Sequence, residues 1–328
     1  MGAGSRRNYA ATLPSDRFHC LLDELPLHLV PRRLLRARFG EGLPHLFLNP
    51  RCSILPPGQV PAELETRQDL LQGFYLENMI AWVPSPLHET LNPFWLGPWL
   101  TRIVSDLRPG DPAPASIPEN ARYLLAVAGI LIPEKSVARQ PIGLKQIARK
   151  GEDFREKGYA PVSDLIHPFH ISALRRYYRR AIRRGVIRLG DEQSSRRYVA
   201  HNESVARFFH YQIASAISAI VGEPVKPSYV YMASYLSGAE LKKHVDRMQC
   251  EFSVTLCLDF SPEPELATSW PIHLDTPEGR VTIYQALGDG LVYRGTRVPH
   301  YRHRLSAGHT STSIFFHYVS EDFSGPLD

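Results

Sequence analysis

The sequence predicts a mixed α+β protein: a mainly helical N-terminal region, then a sandwich or jelly-roll core of short strands with flanking helices. Two observations carry this expectation. Between Ile171 and Gly222 apolar residues recur at helical period, and from Tyr229 to Val319 they fall into short strand-like runs, most plainly Phe252, Val254, Leu256, Leu258 and Phe260 alternating with Ser253, Thr255, Cys257 and Asp259. Composition agrees, with 43% hydrophobic, 10% aromatic and 22% charged residues in 328. That balance excludes a disordered, collagenous or coiled-coil chain.

Taken in order, residues 67–82 and 99–107 show roughly helical period between Pro-rich turns. The run Pro109-Gly110-Asp111-Pro112-Ala113-Pro114, with Pro118 beyond, cannot continue a helix or central strand and is expected to be a linker. Residues 123–132 are too short to span a membrane, are broken by Gly129 and stopped by Pro133, and read as a buried helix. Two regions are expected, 1–134 mainly helical and 135–328 strand-rich. In the second, a helix over 171–184 sets Leu174, Tyr177, Tyr178, Ala181 and Ile182 on one stripe, with arginines 175, 176, 179, 180, 183 and 184 opposite, and stops at Gly185. Asn202 is the expected N-cap of the next helix, which ends at Gly222 before Pro224. Strands are expected at 229–236, 252–260, 270–274, 281–284, 290–293 and 312–319.

Net charge is +5, with much of the excess in 175–197, which indicates a local patch and not a globally cationic surface. Cys20, Cys52, Cys250 and Cys257 have neither CxxC spacing nor scaffold density and read as reduced thiols. Arg6 and Arg7 precede no apolar stretch, so no secretory signal is expected and a cytoplasmic protein is the default. Glu77, His88 and Glu89 have no diagnostic metal-ligand spacing and are given no chemistry.

His244-Val245-Asp246 is where chemistry concentrates. On a strand or strand end, residues i and i+2 share a face, so an imidazole and a carboxylate converge. With 14 histidines, roughly one His-x-Asp is expected by chance, so context decides. His300, His303, His309 and His317 follow as candidates for a third ligand, and two histidines with one carboxylate form the facial set of non-haem Fe(II) oxygenases.

The segment Tyr235-Leu236-Ser237-Gly238-Ala239-Glu240-Leu241-Lys242-Lys243-His244-Val245-Asp246-Arg247 resembles the opening signature of 2-oxoglutarate and Fe(II)-dependent dioxygenases. Gln249-Cys250-Glu251 with Ser253, Trp270-Pro271-Ile272, the run 288–295, His300-Tyr301-Arg302 and the run 315–319 follow in the order of one prokaryotic branch. The likeness covers about residues 150–328. It implies a double-stranded β-helix, Fe(II) held by His244, Asp246 and His300, 2-oxoglutarate as co-substrate, dioxygen, and oxidative decarboxylation coupled to C–H hydroxylation. The retained Asp246 implies oxidation, since halogenating relatives replace that carboxylate with a small residue.

One departure stands out. The family's Arg or Lys for the 2-oxoglutarate C5 carboxylate comes about ten residues after the distal histidine, where this chain has His309-Thr310-Ser311. Arg302 is the first substitute, because i+2 from His300 on a strand lies about 6.5 Å further along the same face. Arg294, Arg304, Arg247 and His309 are alternatives. Tyr229, Tyr231, Tyr235 and Trp270 are expected to line the cavity. The expected substrate is a peptide or small biosynthetic intermediate, with the N-terminal region as lid, dimer surface or docking site. Two competing functions are an oxygenase acting on nucleic acid through the Arg-rich helix and the Arg196-Arg197 pair, and a non-catalytic jelly-roll binding module. A solvated helix face accounts for the arginines without nucleic acid.

Overall fold

The computed structural model describes residues 17–31, 45–85, 87, 90–134 and 143–328. His88, Glu89, Arg6 and Arg7 lie outside the described residues, as does the chain just beyond the expected boundary at 134. The N-terminal part contains β1 (Leu46–Leu48), β2 (Ser53–Leu55), α1 (Ala62–Glu65), β3 (Met79–Pro84), β4 (Leu91–Leu96), α2 (Pro98–Val104), α3 (Glu119–Val127) and β5 (Leu131–Pro133). This corrects the expectation of a mainly helical region: β2, β3 and β4 make an antiparallel sheet, and β1 pairs with β5.

The helix expected over 67–82 is instead a 3-10 turn at Gln68–Leu71 followed by the strand β3. All of β3 but its two ends is buried, so its apolar run carries no alternation to read. Pro93 sits in β4, which is an edge strand of its sheet, where a missing N–H is tolerated. The Pro-rich run is no linker either. Leu48 N–H donates to Asp111 O and Ala113 N–H to Leu46 O, which stitches the run along β1. Over 123–132, α3 ends at Val127, Gly129 turns with φ 78°, and β5 follows.

The remainder holds α4 (Gly143–Lys157), β6 (Tyr159–Val162), α5 (Pro168–Arg183), β7 (Arg188–Leu189), β8 (Arg197–His201), α6 (Ser204–Gln212), α7 (Ala214–Val221), β9 (Val225–Tyr235), β10 (Leu241–His244), β11 (Phe252–Ser261), β12 (Ile272–Thr276), β13 (Gly279–Ile283), β14 (Gly290–Arg294), β15 (His300–Arg302) and β16 (Thr310–Ser320). A seven-stranded sheet runs β6-β14-β11-β16-β9-β8-β7, and a four-stranded sheet runs β10-β15-β12-β13. Every pairing in both is antiparallel. The arrangement fits the expected jelly roll.

Alternation along β11 explains how the large sheet is buried on both faces. Phe252, Val254, Leu256 and Leu258 join Phe209 and Ile217 of the helices in one apolar core, which also contains Trp82 and Trp95 of the N-terminal sheet. Ser253, Thr255 and Cys257 face the other way and are buried too. The polar half of the alternation therefore faces the interior and not bulk water. A register shift between Cys257 and Asp259 adds one residue and reverses the alternation, so Phe260 joins the inner cluster and Asp259 meets α5.

Two helix details differ from expectation. Glu203, not Asn202, caps α6, its carboxylate accepting from Val205 N–H and Ala206 N–H, while Asn202 Oδ1 accepts from Val230 N–H. Arg175, expected on a solvated face of α5, is fully buried and ion-paired with Asp259 and Glu263. The four cysteines are free and buried. Among the described residues no helix is long and apolar enough to cross a membrane.

Candidate metal centre and its cavity

His244 ends β10, opposite His300 on β15. The ladder between these strands shifts register between Leu241 and His244, an irregularity that sets the two imidazoles side by side with ring centroids 4.4 Å apart. Asp246 lies just past the strand end, its N–H donating to Gly295 O at 2.8 Å. Its Oδ1 is 3.6 Å from His244 Nε2 and 3.5 Å from His300 Nε2. Of the four histidines weighed for the third position, His300 is the one in this group.

Both rings are oriented by backbone. His244 Nδ1 lies 2.7 Å from Lys242 O and His300 Nδ1 lies 3.0 Å from Val298 O. A carbonyl only accepts, so in each neutral ring the proton sits on Nδ1 and the Nε2 lone pair faces the carboxylate. This is the orientation a metal-binding imidazole needs. His244, Asp246 and His300 each offer one ligand atom, all within 4.8 Å of one another. Burial pushes the Asp246 carboxyl up, but the two imidazoles outweigh it and hold the group well below the usual carboxylate range. His244 is pushed up, chiefly by its contact with Asp246. Imidazole nitrogens with one hard carboxylate oxygen suit Fe(II), so the donor set fits that ion.

The triad opens into a cavity of about 480 Å³, in the range of small-molecule sites, walled by Tyr229, Tyr231, Tyr235, Tyr293, Phe315 and His317. Three of the four expected aromatics line it. Trp270 does not, and packs instead on Tyr235 and the Arg302 guanidinium.

Arg302 is almost fully buried, which pushes its guanidinium down from its ordinary value. It donates to Trp270 O and to Gln285 Oε1, both neutral, and among the described residues no carboxylate pairs with it. It is not in the cavity wall itself, but Tyr235 and Tyr293, which are, lie among its electrostatic neighbours. Arg294 and His309 are displaced from the site. Arg294 stacks on Phe154 and Phe252 on the helix side, because Tyr293 takes the inward position of β14. His309 lies on a surface groove against Phe260 and Pro262. Arg304 is exposed, His303 packs on His273 away from the triad, and Arg247 lies over the Tyr229 ring at the cavity wall.

Sequence reasoning missed the inward role of Arg197. Read as part of a basic pair, it lies on β8 in the cavity wall, donating to Asp191, Gln193 and Tyr235 Oη. Alternation along Arg197–His201 was the available signal, since Arg197 and His201 both line the cavity. Glu77 lines a separate groove with His19 and Arg180 and joins no ligand cluster among the described residues.

No protein-family model matches the chain, and no curated protein is similar to it. Solved structures are. The non-heme alpha ketoglutarate dependent epimerase SnoN from nogalamycin biosynthesis is 14% identical, with TM-score 0.44 over 55% of this chain and 83% of that one. A Pseudomonas putida prolyl-4-hydroxylase is 18% identical, with TM-score 0.44 over 53% and 100%. AviO1 from Streptomyces viridochromogenes Tue57 is 20% identical, with TM-score 0.44 over 55% and 97%. Likeness at this level transfers no residue roles, and the chemistry rests on the site's own geometry.

Proposed function

We propose that the chain is a non-haem Fe(II) oxygenase that takes 2-oxoglutarate and dioxygen and hydroxylates a C–H bond of a peptide or small-molecule substrate. One observation supports this above the others: two imidazoles locked by backbone carbonyls present Nε2 toward a single carboxylate oxygen at 3.6 and 3.5 Å. His244, Asp246 and His300 would hold the ion. When bound, Fe(II) supplies dioxygen activation coupled to decarboxylation of the co-substrate.

The chain's own contribution is orientation. Arg302 is the group we assign to the far carboxylate of 2-oxoglutarate. A buried guanidinium bonded only to neutral oxygens lacks a counter-charge, and its planar fork matches a carboxylate. Arg197 also lines the cavity, but Asp191 already neutralises it. Tyr229, Tyr231, Tyr235 and Phe315 give the cavity aromatic surface for a substrate, beside the polar lining of Asp191, Glu192, Gln193 and Arg197. Of the α5 arginines behind the nucleic-acid alternative, Arg175 and Arg179 are engaged by Asp259.

The test is anaerobic addition of Fe(II) and then 2-oxoglutarate to the metal-free protein. A weak visible charge-transfer band is expected in wild type and absent in a His244→Ala, Asp246→Ala double variant. Absence of both the band and measurable iron binding in wild type would leave a non-catalytic jelly roll.

A further inference from the structure

Only one oxygen of Asp246 faces the two imidazoles. Its other oxygen, Oδ2, accepts from Ser253 Oγ at 2.7 Å, and the same Oγ lies 2.9 Å from His317 Nδ1. A serine hydroxyl has one proton, and an ionised carboxylate only accepts. The serine proton therefore points at Asp246, which leaves His317 Nδ1–H as the donor to Ser253 Oγ. The direction of the chain follows: His317 to Ser253 to Asp246 Oδ2.

The distant end of this chain is held firmly. His317 lies on β16, and its backbone oxygen accepts from His210 Nε2 at 2.7 Å and from Ser228 Oγ at 2.9 Å. Its ring packs on Tyr229 with centroids 4.6 Å apart. Ser253 and His317 are register partners on β11 and β16, so the sheet itself sets their separation. The last wall is Gly295, whose oxygen takes the Asp246 N–H, and where a Cβ would overlap Cys250 O, Asp246 Oδ2 and Ser253 Oγ.

We propose that Ser253 and His317 are positioning residues that occupy Asp246 Oδ2 and reserve Oδ1 alone for the metal, with Gly295 leaving the room this requires. The consequence is coordinative. A carboxylate freed from Ser253 can turn and offer both oxygens, and so fill a position that the co-substrate or dioxygen needs. Outer partners of this kind orient metal-binding side chains generally. The inference rests on the reading of His244, Asp246 and His300 as a metal site.

Co2+ is a suitable probe, because its visible d–d bands report coordination number without turnover. Wild type, Ser253→Ala, His317→Leu and His317→Asn are compared by calorimetric titration with Co2+, by the visible spectrum, and by melting of the metal-free protein. Asparagine keeps a donor near the place of the ring Nδ1–H, so it separates the hydrogen bond from the bulk of the ring. Wild type is expected to bind one Co2+ per chain. Ser253→Ala and His317→Leu should each weaken binding by roughly 10- to 100-fold and change the spectrum, while His317→Asn restores most of both. Wild-type affinity and spectrum in Ser253→Ala would overturn the inference and leave the metal site standing. If a variant melts too low to titrate, the pair His317→Leu and His317→Asn decides, equal behaviour of the two overturning it. Failure of wild type to bind Co2+ at all removes the metal site, and the inference with it.

Discussion

Arg175 and Arg302 are both almost removed from water, at 0% and 5% exposure, yet they sit in opposite electrostatic settings. Arg175, on α5 against the outer face of the large sheet, meets Asp259 at 3.0 Å, Glu263, and the Leu29 carbonyl. Its charge is balanced and its donors are used, and it ties an N-terminal segment to the strand core. Arg302, inside the strand core, meets a tryptophan carbonyl and a glutamine oxygen. Its hydrogen bonds are partly satisfied and its charge is not. A buried charge is costly unless paired, so the first guanidinium belongs to the fold, and the second is the one we propose for an anion from outside.

The comparison breaks most visibly on the structural side. Arg175→Met leaves Asp259 with Arg179 alone, at a side chain 40% exposed, and leaves the Leu29 carbonyl without its donor. Truncating one partner of a buried ion pair costs about 3–5 kcal/mol. Urea denaturation of the metal-free protein should show that loss, with 2-oxoglutarate affinity unchanged in the protein that remains folded. Arg302→Met should do the reverse. Removing an unbalanced buried charge offsets the two hydrogen bonds lost, so stability should move by no more than about 1–2 kcal/mol. On the proposed assignment two charge-assisted bonds to the co-substrate are lost, and its apparent affinity should fall by roughly 100-fold. A large stability loss with unchanged co-substrate affinity in Arg302→Met would make the two arginines alike and would move the anchor to Arg197.

The same contrast shows what a sequence can and cannot carry. His244 and Asp246 were legible because their convergence is local, two residues apart at a strand end, and His300 because the resemblance orders it after the Gly288–Gly295 run. For Arg302 strand geometry predicted a place on the cavity face beside His300, and the cavity wall does not include it. Arg175 was misread because its solvation is decided 84 residues away, by a one-residue shift in β11 that turns Asp259 toward α5. No periodicity announces a bulge. Arg197 was taken as surface charge because β8 is short and its partners, Asp191 and Tyr235, come from a hairpin loop and a neighbouring strand. In the N-terminal region the failure had a different cause: strands buried on both faces lose the two-residue period that marks a strand.

A third buried base sharpens the comparison by a route open to neither arginine, that of staying neutral. His210 on α6 is buried, and burial lowers its pKa to about 3 despite the His317 carbonyl at 2.7 Å, which favours the charged form. An unfolded histidine titrates near 6.5. Between those values the unfolded chain binds a proton that the folded chain refuses, so stability contributed by neutral His210 is complete above about pH 6.5 and is lost as pH falls toward 3. The loss approaches about 1.4 kcal/mol for each pH unit inside that window. His210→Gln, whose amide can replace the Nε2–H donor, should flatten this part of the profile when unfolding free energies are measured at pH 6.5, 5.5 and 4.5. Equal slopes in wild type and variant would mean that His210 takes its proton without unfolding, and that burial at this position does not enforce neutrality.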